Sequence, residues 1–160
     1  MTQDKLKSLF RYSPTDGYFY YINTNIRADC LSGRCRVIII NGKKYLVHRM
    51  AFLYMKGYIP VEVDHIDRKP LNNKWSNLRA ATRSQNSHNK IKRWDSSSKY
   101  KNVERNRSKW RARIAVNGRR IAIGSYSTQE EAAQAVLDWR KKHLPNEPIP
   151  TENYLKIPDC

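Results

Sequence analysis

The stretch VEVDHIDRKPLNNKWSNLRAATRSQNSHNK, residues 61–90, decides how the chain is read. Val61 and Val63 alternate with Glu62 and Asp64, which predicts a short strand ending near His65. A polar loop from Asp67 to Ser76 leads into Asn77-Leu78-Arg79-Ala80-Ala81, read as a second strand or turn. Thr82-Arg83-Ser84-Gln85 has capping-box spacing, which opens a helix carrying Asn86, Asn89 and Lys90. The expected order is therefore strand, loop, strand, helix: a ββα unit.

Within it an acid and an imidazole are adjacent, at Asp64 and His65, with carboxamides at Asn77 and Asn86. A hard divalent cation such as Mg²⁺ prefers oxygen ligands and retains several waters. The Asp64 carboxylate and the Asn86 carboxamide would under-fill its shell and leave room for phosphate oxygens. His65, in its neutral form, can take a proton from an attacking water. Neighbouring side chains on a strand point to opposite faces, so Asp64 and His65 serve together only if the strand ends or bends there. Asn77 either holds the loop in shape or accepts from the imidazole to fix which nitrogen stays available. Such a set belongs to phosphodiester hydrolysis.

Upstream, residues 10–47 read as short strands with turns. Tyr18-Phe19-Tyr20-Tyr21 follows a turn-like Ser13-Pro14-Thr15-Asp16-Gly17, and Arg36–Ile40 and Lys43–Val47 flank Asn41-Gly42. Asn-Gly supplies the two positive-φ residues of a tight hairpin. A helix is expected from His48 to about Lys56, ended by Gly57 and Pro60. Downstream, Ser96-Ser97-Ser98 marks a linker. Tyr100–Arg105, Trp110–Val116 and Arg119–Tyr126 read as three strands, the last two joined by Asn117-Gly118. Thr128 and Glu131 can cap a helix running to about Lys142. Its apolar face would be Ala132, Ala133, Val136, Leu137, Trp139 and the stem of Arg140. Period two turns Trp110, Ala112, Ile114 and Val116 toward that helix and Arg111 and Arg113 away from it.

The fold class that follows is α+β. N-terminal β-hairpins and the ββα unit are followed by a three-stranded antiparallel sheet packed on one helix. Residues 1–92 form the first domain, with its ββα core at about 61–91. Residues 93–98 are a linker, 99–143 a second domain, and 144–160 an extended tail with no chemistry assigned.

The 160 residues carry 31 Lys+Arg against 14 Asp+Glu, a net charge of +17. Residues 87–120 hold 12 Lys+Arg and 2 Asp+Glu, while residues 121–160 hold 4 and 6. So strong a basic bias, unevenly spread, implies a polyanionic partner. A sheet with one apolar and one arginine-rich face can sit in a DNA groove. Lys101, Arg105, Arg107, Arg111, Arg113 and Arg120 are the expected contacts there, with Lys90, Lys92 and Arg93 tracking the backbone between the modules. No apolar run reaches the length of a signal peptide or membrane span, and three cysteines without a CxxC pair fit a reducing cytoplasm. His88 is read as a surface residue.

These motifs carry two resemblances. Asp64-His65-Ile66-Asp67, Asn72-Asn73, Asn77-Leu78-Arg79 and Asn86 resemble the HNH homing-endonuclease family, particularly its phage and intron-encoded branch. The resemblance implies a ββα-metal unit binding one ion, with His65 as general base, Asp64 and Asn86 as metal ligands and Asn77 as the structural asparagine. Asn86 stands where many relatives have His, which suits Mg²⁺ or Mn²⁺ better than Zn²⁺. The zinc-binding cysteine pairs usual in the family are missing. His48-Arg49 looks like the pair preceding the motif, and Arg79 and Asn89 are further accessory candidates.

Residues 99–143 resemble the APETALA2-type DNA-binding domain through K-Y-K-N-V, K-W-R-A-R-I, Ile123-Gly124 and S-T-Q-E-E-A-A. Glu104 replaces a usual arginine there, and Ala122 replaces a DNA-contacting tryptophan. Together the resemblances imply a metal-dependent DNA endonuclease that nicks or homes, leaves 3′-hydroxyl and 5′-phosphate ends, and anchors on duplex DNA. As a monomer or weak dimer, it would work in the host cytoplasm if encoded by a bacteriophage. The rival expectations are a catalytically inactive DNA-binding or regulatory protein with a nuclease-derived fold, and an RNA-directed module.

Overall fold

A computed structural model describes residues 1–90, 97–145 and 147. The described chain is mixed α+β, with four helices and ten short strands in small antiparallel sheets. It divides into two compact units, Met1–Thr82 and Arg83–Cys160.

The first unit opens on α1 (Gln3–Leu9), which the sequence reading did not anticipate. Seven residues are too few for a clear helical period. Its one local signal is Thr2, whose side chain accepts from the Lys5 N–H at 3.3 Å. The hairpin of β1 (Phe10–Ser13) and β2 (Tyr18–Tyr21) follows, pairing Tyr12 with Phe19. Then come β3 (Asp29–Ser32), β4 (Cys35–Ile40) and β5 (Lys43–Leu46) in sequential order. The expected turn joins β4 to β5, with Asn41 at φ 49° and Gly42 at φ 73°.

Helix α2 (Val47–Lys56) stops at Gly57, whose φ of 80° is the left-handed cap that favours glycine. Strands β6 (Glu62–His65) and β7 (Leu78–Ala81) complete the unit, placing Asp64 opposite Arg79 and His65 opposite Leu78.

A two-stranded pair is marginal alone. Here β6 and β7 are held by one core in which Val63 and Leu78 join Leu6, Phe10, Tyr12, Phe19, Ile38, Ile40, Val47, Met50, Ala51, Phe52 and Leu53. The hairpin, the middle sheet and the pair β6–β7 therefore share their apolar burial. Phe19, fully buried, meets Phe10 edge to face at 6.3 Å and Tyr12 at 5.0 Å.

In the second unit α3 (Arg83–Asn89) precedes a sheet ordered β10 (Arg119–Tyr126), β9 (Lys109–Val116), β8 (Val103–Asn106). Helix α4 (Gln129–His143) begins with the predicted capping box of Thr128 and Glu131. Ala132, Ala133 and Val136 of the helix pack with Val103, Ala112 and Tyr100, and Ile114 is buried on β9. Ala112 and Ile114 are buried and Trp110 packs on that cluster, as period two predicts, while Val116 is half-buried outside it. A register shift between Ala122 and Gly124 lets Ile123 and Tyr126 reach the same core.

Three expectations are corrected in this unit. Arg140 buries its guanidinium as well as its stem, with Glu147 3.8 Å away. Burial of a charge demands a partner, and Glu147 stands beyond the helix end that sequence alone leaves without a role. His88 is buried, not a surface residue; its Nδ1 lies 2.6 Å from Glu147 Oε2 and its Nε2 2.6 Å from the Ala115 carbonyl. Ser98, read as linker, is buried; its hydroxyl donates to Gln129 Oε1 at 3.1 Å and accepts from the Tyr100 N–H.

Replacing Phe19 with Ala tests the shared core. Loss of a fully buried aromatic should cost about 3–5 kcal/mol of stability. Urea denaturation followed by tryptophan fluorescence would show it, and a change below about 1 kcal/mol would mean that the hairpin is not part of the core.

Candidate active site

The loop between β6 and β7 is built around one side chain. Asn77 lies buried at the end of a 3-10 turn, Trp75–Asn77. Its Nδ2 donates to Asp67 Oδ1 at 2.8 Å and to the Asn72 carbonyl at 2.7 Å, while its Oδ1 accepts from the Asp67 N–H at 2.9 Å. Asp67 also accepts from Asn72 Nδ2 at 2.6 Å and the Lys69 N–H at 2.9 Å. Burial would raise this carboxyl, but the hydrogen bonds from Asn72, Lys69 and Asn77, with His65 nearby, hold it below the usual carboxylate range. The Ile66 N–H donates to the Asn77 carbonyl at 2.9 Å, and Arg68 turns with a φ of 61°. The strand therefore ends at His65, as joint use of Asp64 and His65 requires.

Of the two roles open to Asn77, this geometry is the loop-holding one. The imidazole is met instead by Asn73, whose Oδ1 lies 3.0 Å from His65 Nε2. Sequence reasoning passed over Asn73 as half of an asparagine doublet. Its burial, at 1 % exposure, is the feature that separates it from half-buried Asn72.

Asp64 is also buried, and the reason lies in the register. Arg79, directly opposite on β7, sends both Nε (2.8 Å) and Nη2 to Asp64 Oδ2. A carboxylate at 5 % exposure needs such a partner. His48, on the first turn of α2, meets the His65 ring edge to face at 5.1 Å. Burial, with the neighbouring charges of His65 and Arg49, pushes His48 down to about 4. Arg49 itself donates to the Val61 carbonyl at 3.3 Å, tying α2 to the approach of β6.

The first unit therefore gathers Asp64, His65, Asn73, Asn77, Arg79 and His48 around the end of β6. Asn86 and Asn89 belong to α3 in the second unit, and Asn89 is buried there. Lys101 Nζ donates to the carbonyls of Ser87 and His88, each at 2.9 Å, and of Lys90, at the C-terminal end of α3. Its three donors are thereby engaged on the helix end instead of turned to solvent.

On the sheet, Arg105, Arg107 and Arg120 are exposed and Arg111 is half-buried. Arg105 lies over the Trp110 ring at 5.1 Å and donates to the Arg107 carbonyl at 2.9 Å. Arg113 is paired to Glu104 at 2.5 Å. Lys90 is exposed; Lys92 and Arg93 lie outside the described residues.

Comparison with known proteins bears on this site. Residues 45–88 match the family model described as HNH endonuclease. That segment contains His48, Asp64, His65, Asn73, Asn77, Arg79 and Asn86. Over 95 residues the chain is 41% identical to a protein named as an uncharacterised HNH endonuclease of Acanthamoeba polyphaga mimivirus. The match covers 57% of this chain and 49% of that protein, so the chain spans about half the length of its curated relative. No solved structure matches the chain.

Among the described residues no three His, Cys, Asp or Glu side chains gather to hold a metal ion, and Cys30 and Cys35 are free thiols. That donor set does not fit a closed zinc site. A hard cation that keeps several of its waters needs fewer protein oxygens than that. Among the same residues no helix is long and apolar enough to cross a membrane.

His48 generates a pH prediction. Its folded pKa of about 4 lies below the ordinary histidine value of 6.5, so its contribution to stability is present above 6.5 and is lost as pH falls toward 4. His48→Gln should remove that part of the acid sensitivity, on the order of 3 kcal/mol at most between these limits. Chemical denaturation at a series of pH values measures it. Equal slopes for the two proteins between pH 6.5 and 4 would mean that His48 is protonated alike in both states.

Proposed function

We propose that the protein is a metal-dependent DNA endonuclease of the HNH type, hydrolysing one phosphodiester bond per active site. The observation that carries the reading is the buried acid Asp64 beside His65 at the end of β6, within the segment that matches the HNH model. His65 takes a proton from a water, and the water oxygen attacks the scissile phosphorus. The bond from phosphorus to the 3′ oxygen breaks, that oxygen gains a proton from solvent, and 3′-hydroxyl and 5′-phosphate ends result.

Asp64 and, from the motif in α3, Asn86 are the oxygen donors assigned to Mg²⁺ or Mn²⁺. A bound cation there supplies charge for the developing oxyanion of the leaving group. Arg79 orients the Asp64 carboxylate through its two contacts to Oδ2, and Asn77 keeps the following loop closed. One such site per chain nicks one strand, so a monomer or weak dimer is the proposed acting form, on a genetic element that homes or on a phage or other viral genome.

We further assign DNA anchoring to the second unit. Half-buried Arg111 and exposed Arg120 favour phosphate contact on the outer face of the sheet, with exposed Arg105 and Arg107 beside the β8–β9 turn. Arg113 is partly neutralised by Glu104, the position where the resembling domains carry an arginine. Phosphate binding therefore outweighs base readout on this face.

Supercoiled plasmid with Mg²⁺ or Mn²⁺ tests the catalytic reading. Wild type should yield relaxed circle and lose activity with EDTA, and His65→Ala should fall by at least about 100-fold while binding duplex DNA as before. No relaxed circle under any divalent metal, with binding intact, would favour an inactive DNA-binding protein. Removing residues 95–160 should weaken DNA affinity and flatten its dependence on salt. An unchanged slope of log affinity against log salt would refute the anchoring role, and tighter binding of RNA than of duplex DNA would redirect it.

A further inference from the structure

We propose that the N-terminal hairpin β1–β2, which lies outside the segment matching the HNH model, sets the tautomer of His65 by clamping Asn73 against its Nε2. The inference rests on His65 being the base of the proposed nuclease.

Three contacts make the clamp. The buried Tyr12 hydroxyl donates to the Asn73 carbonyl at 2.6 Å. The Trp75 N–H donates to the Pro14 carbonyl at 3.0 Å. Gly17, at φ 80°, presses so closely that a Cβ there would stand 2.4 Å from both Asn73 C and Lys74 N. No side chain fits at that distance, so the turn and the Asn73 backbone are in direct contact. Tyr12 is held as a neutral donor, since burial, reinforced by Asp16, pushes its hydroxyl upward.

With its main chain fixed on one side, Asn73 is left with its side chain to orient. Its Nδ2 reaches the Leu71 carbonyl at 3.4 Å, which directs Oδ1 to His65 Nε2 at 3.0 Å. An amide oxygen can only accept, so the imidazole must donate there. The neutral ring then carries its proton on Nε2 and its lone pair on Nδ1. Asn73 is thus a positioning residue: it touches the base and decides which nitrogen can take the proton of water. The opposite amide orientation would direct an N–H at Nε2, force the proton onto Nδ1 and leave no basic nitrogen.

The test is nitrogen NMR of the full chain with ¹⁵N-labelled histidine at a pH where His65 is neutral, with no metal or DNA present. Wild type should show the Nε2–H tautomer at His65. Asn73→Leu, Tyr12→Phe and Gly17→Ala should each shift the ring toward a mixture of tautomers. Asn73→Asp, which keeps an acceptor, should retain Nε2–H. An Nδ1–H ring in wild type overturns the inference without any variant having to fold, and so does an unchanged tautomer in a folded Asn73→Leu.

Single-turnover nicking adds a second readout. Asn73→Leu should be slowed about 10- to 100-fold at unchanged DNA affinity, and Asn73→Asp should restore most of the rate. An Nε2–H ring that shifts in a folded Asn73→Leu, in a chain that cuts no DNA, would uphold the clamp and sink the nuclease reading. Normal cutting by a folded Asn73→Leu would sink the clamp alone.

Discussion

The turn that follows His65 depends on the closure of one ten-residue polar loop by Asn77. Trp75 is the loop's one aromatic anchor, packed on Phe52 at 4.8 Å, and the loop's polar backbone groups need partners wherever water is excluded. Asn77 supplies them through both ends of one carboxamide, donating to Asp67 and to the Asn72 carbonyl while accepting from the Asp67 N–H. The lowered Asp67 carboxyl is the electrostatic signature of that arrangement, because every hydrogen bond it receives favours the charged form. Without the closure, His65 would be followed by an open turn and the imidazole would keep only its contact with the His48 ring.

The site was legible in sequence to the extent that it is local. Strand alternation, the Asn-Gly turn and the Thr128–Glu131 box are short-range signals, and the structure shows strands, hairpin and capped helix there. What sequence could not convey is which partner each polar group finds. Arg79 meets Asp64 because the β6–β7 register sets them opposite, and register is a consequence of which side chains the core accepts. Asn73 meets His65, and Glu147 meets His88, across gaps that no periodicity describes. Helix α1 was missed for a related reason: it is stabilised by burying Leu6 in a core assembled from distant strands.

The charge of the chain is less uniform in space than its composition implies. In the second unit some of the basic side chains serve folding: Lys101 closes the end of α3, Arg140 is enclosed beside Glu147, and Arg113 pairs with Glu104. Among the basic side chains left exposed are those on the sheet, where Arg105 is stiffened by Trp110 and by its bond to the Arg107 carbonyl. A guanidinium already immobilised loses less entropy on binding phosphate than a free lysine would.

The extent of the family match and the extent of the folded core do not coincide, and the mismatch has a physical cause. Residues 45–88 contain Asp64 and His65, but β6 and β7 contribute only Val63 and Leu78 to a core otherwise supplied by α1, the hairpin, β4 and α2. Two strands of four residues bury too little surface to fold alone. The aromatic hairpin supplies much of the missing burial through Phe10, Tyr12 and Phe19. The same hairpin touches the loop that carries Asn73, through the Tyr12 hydroxyl on the Asn73 carbonyl, so the element that stabilises the unit also borders the side chain that meets His65.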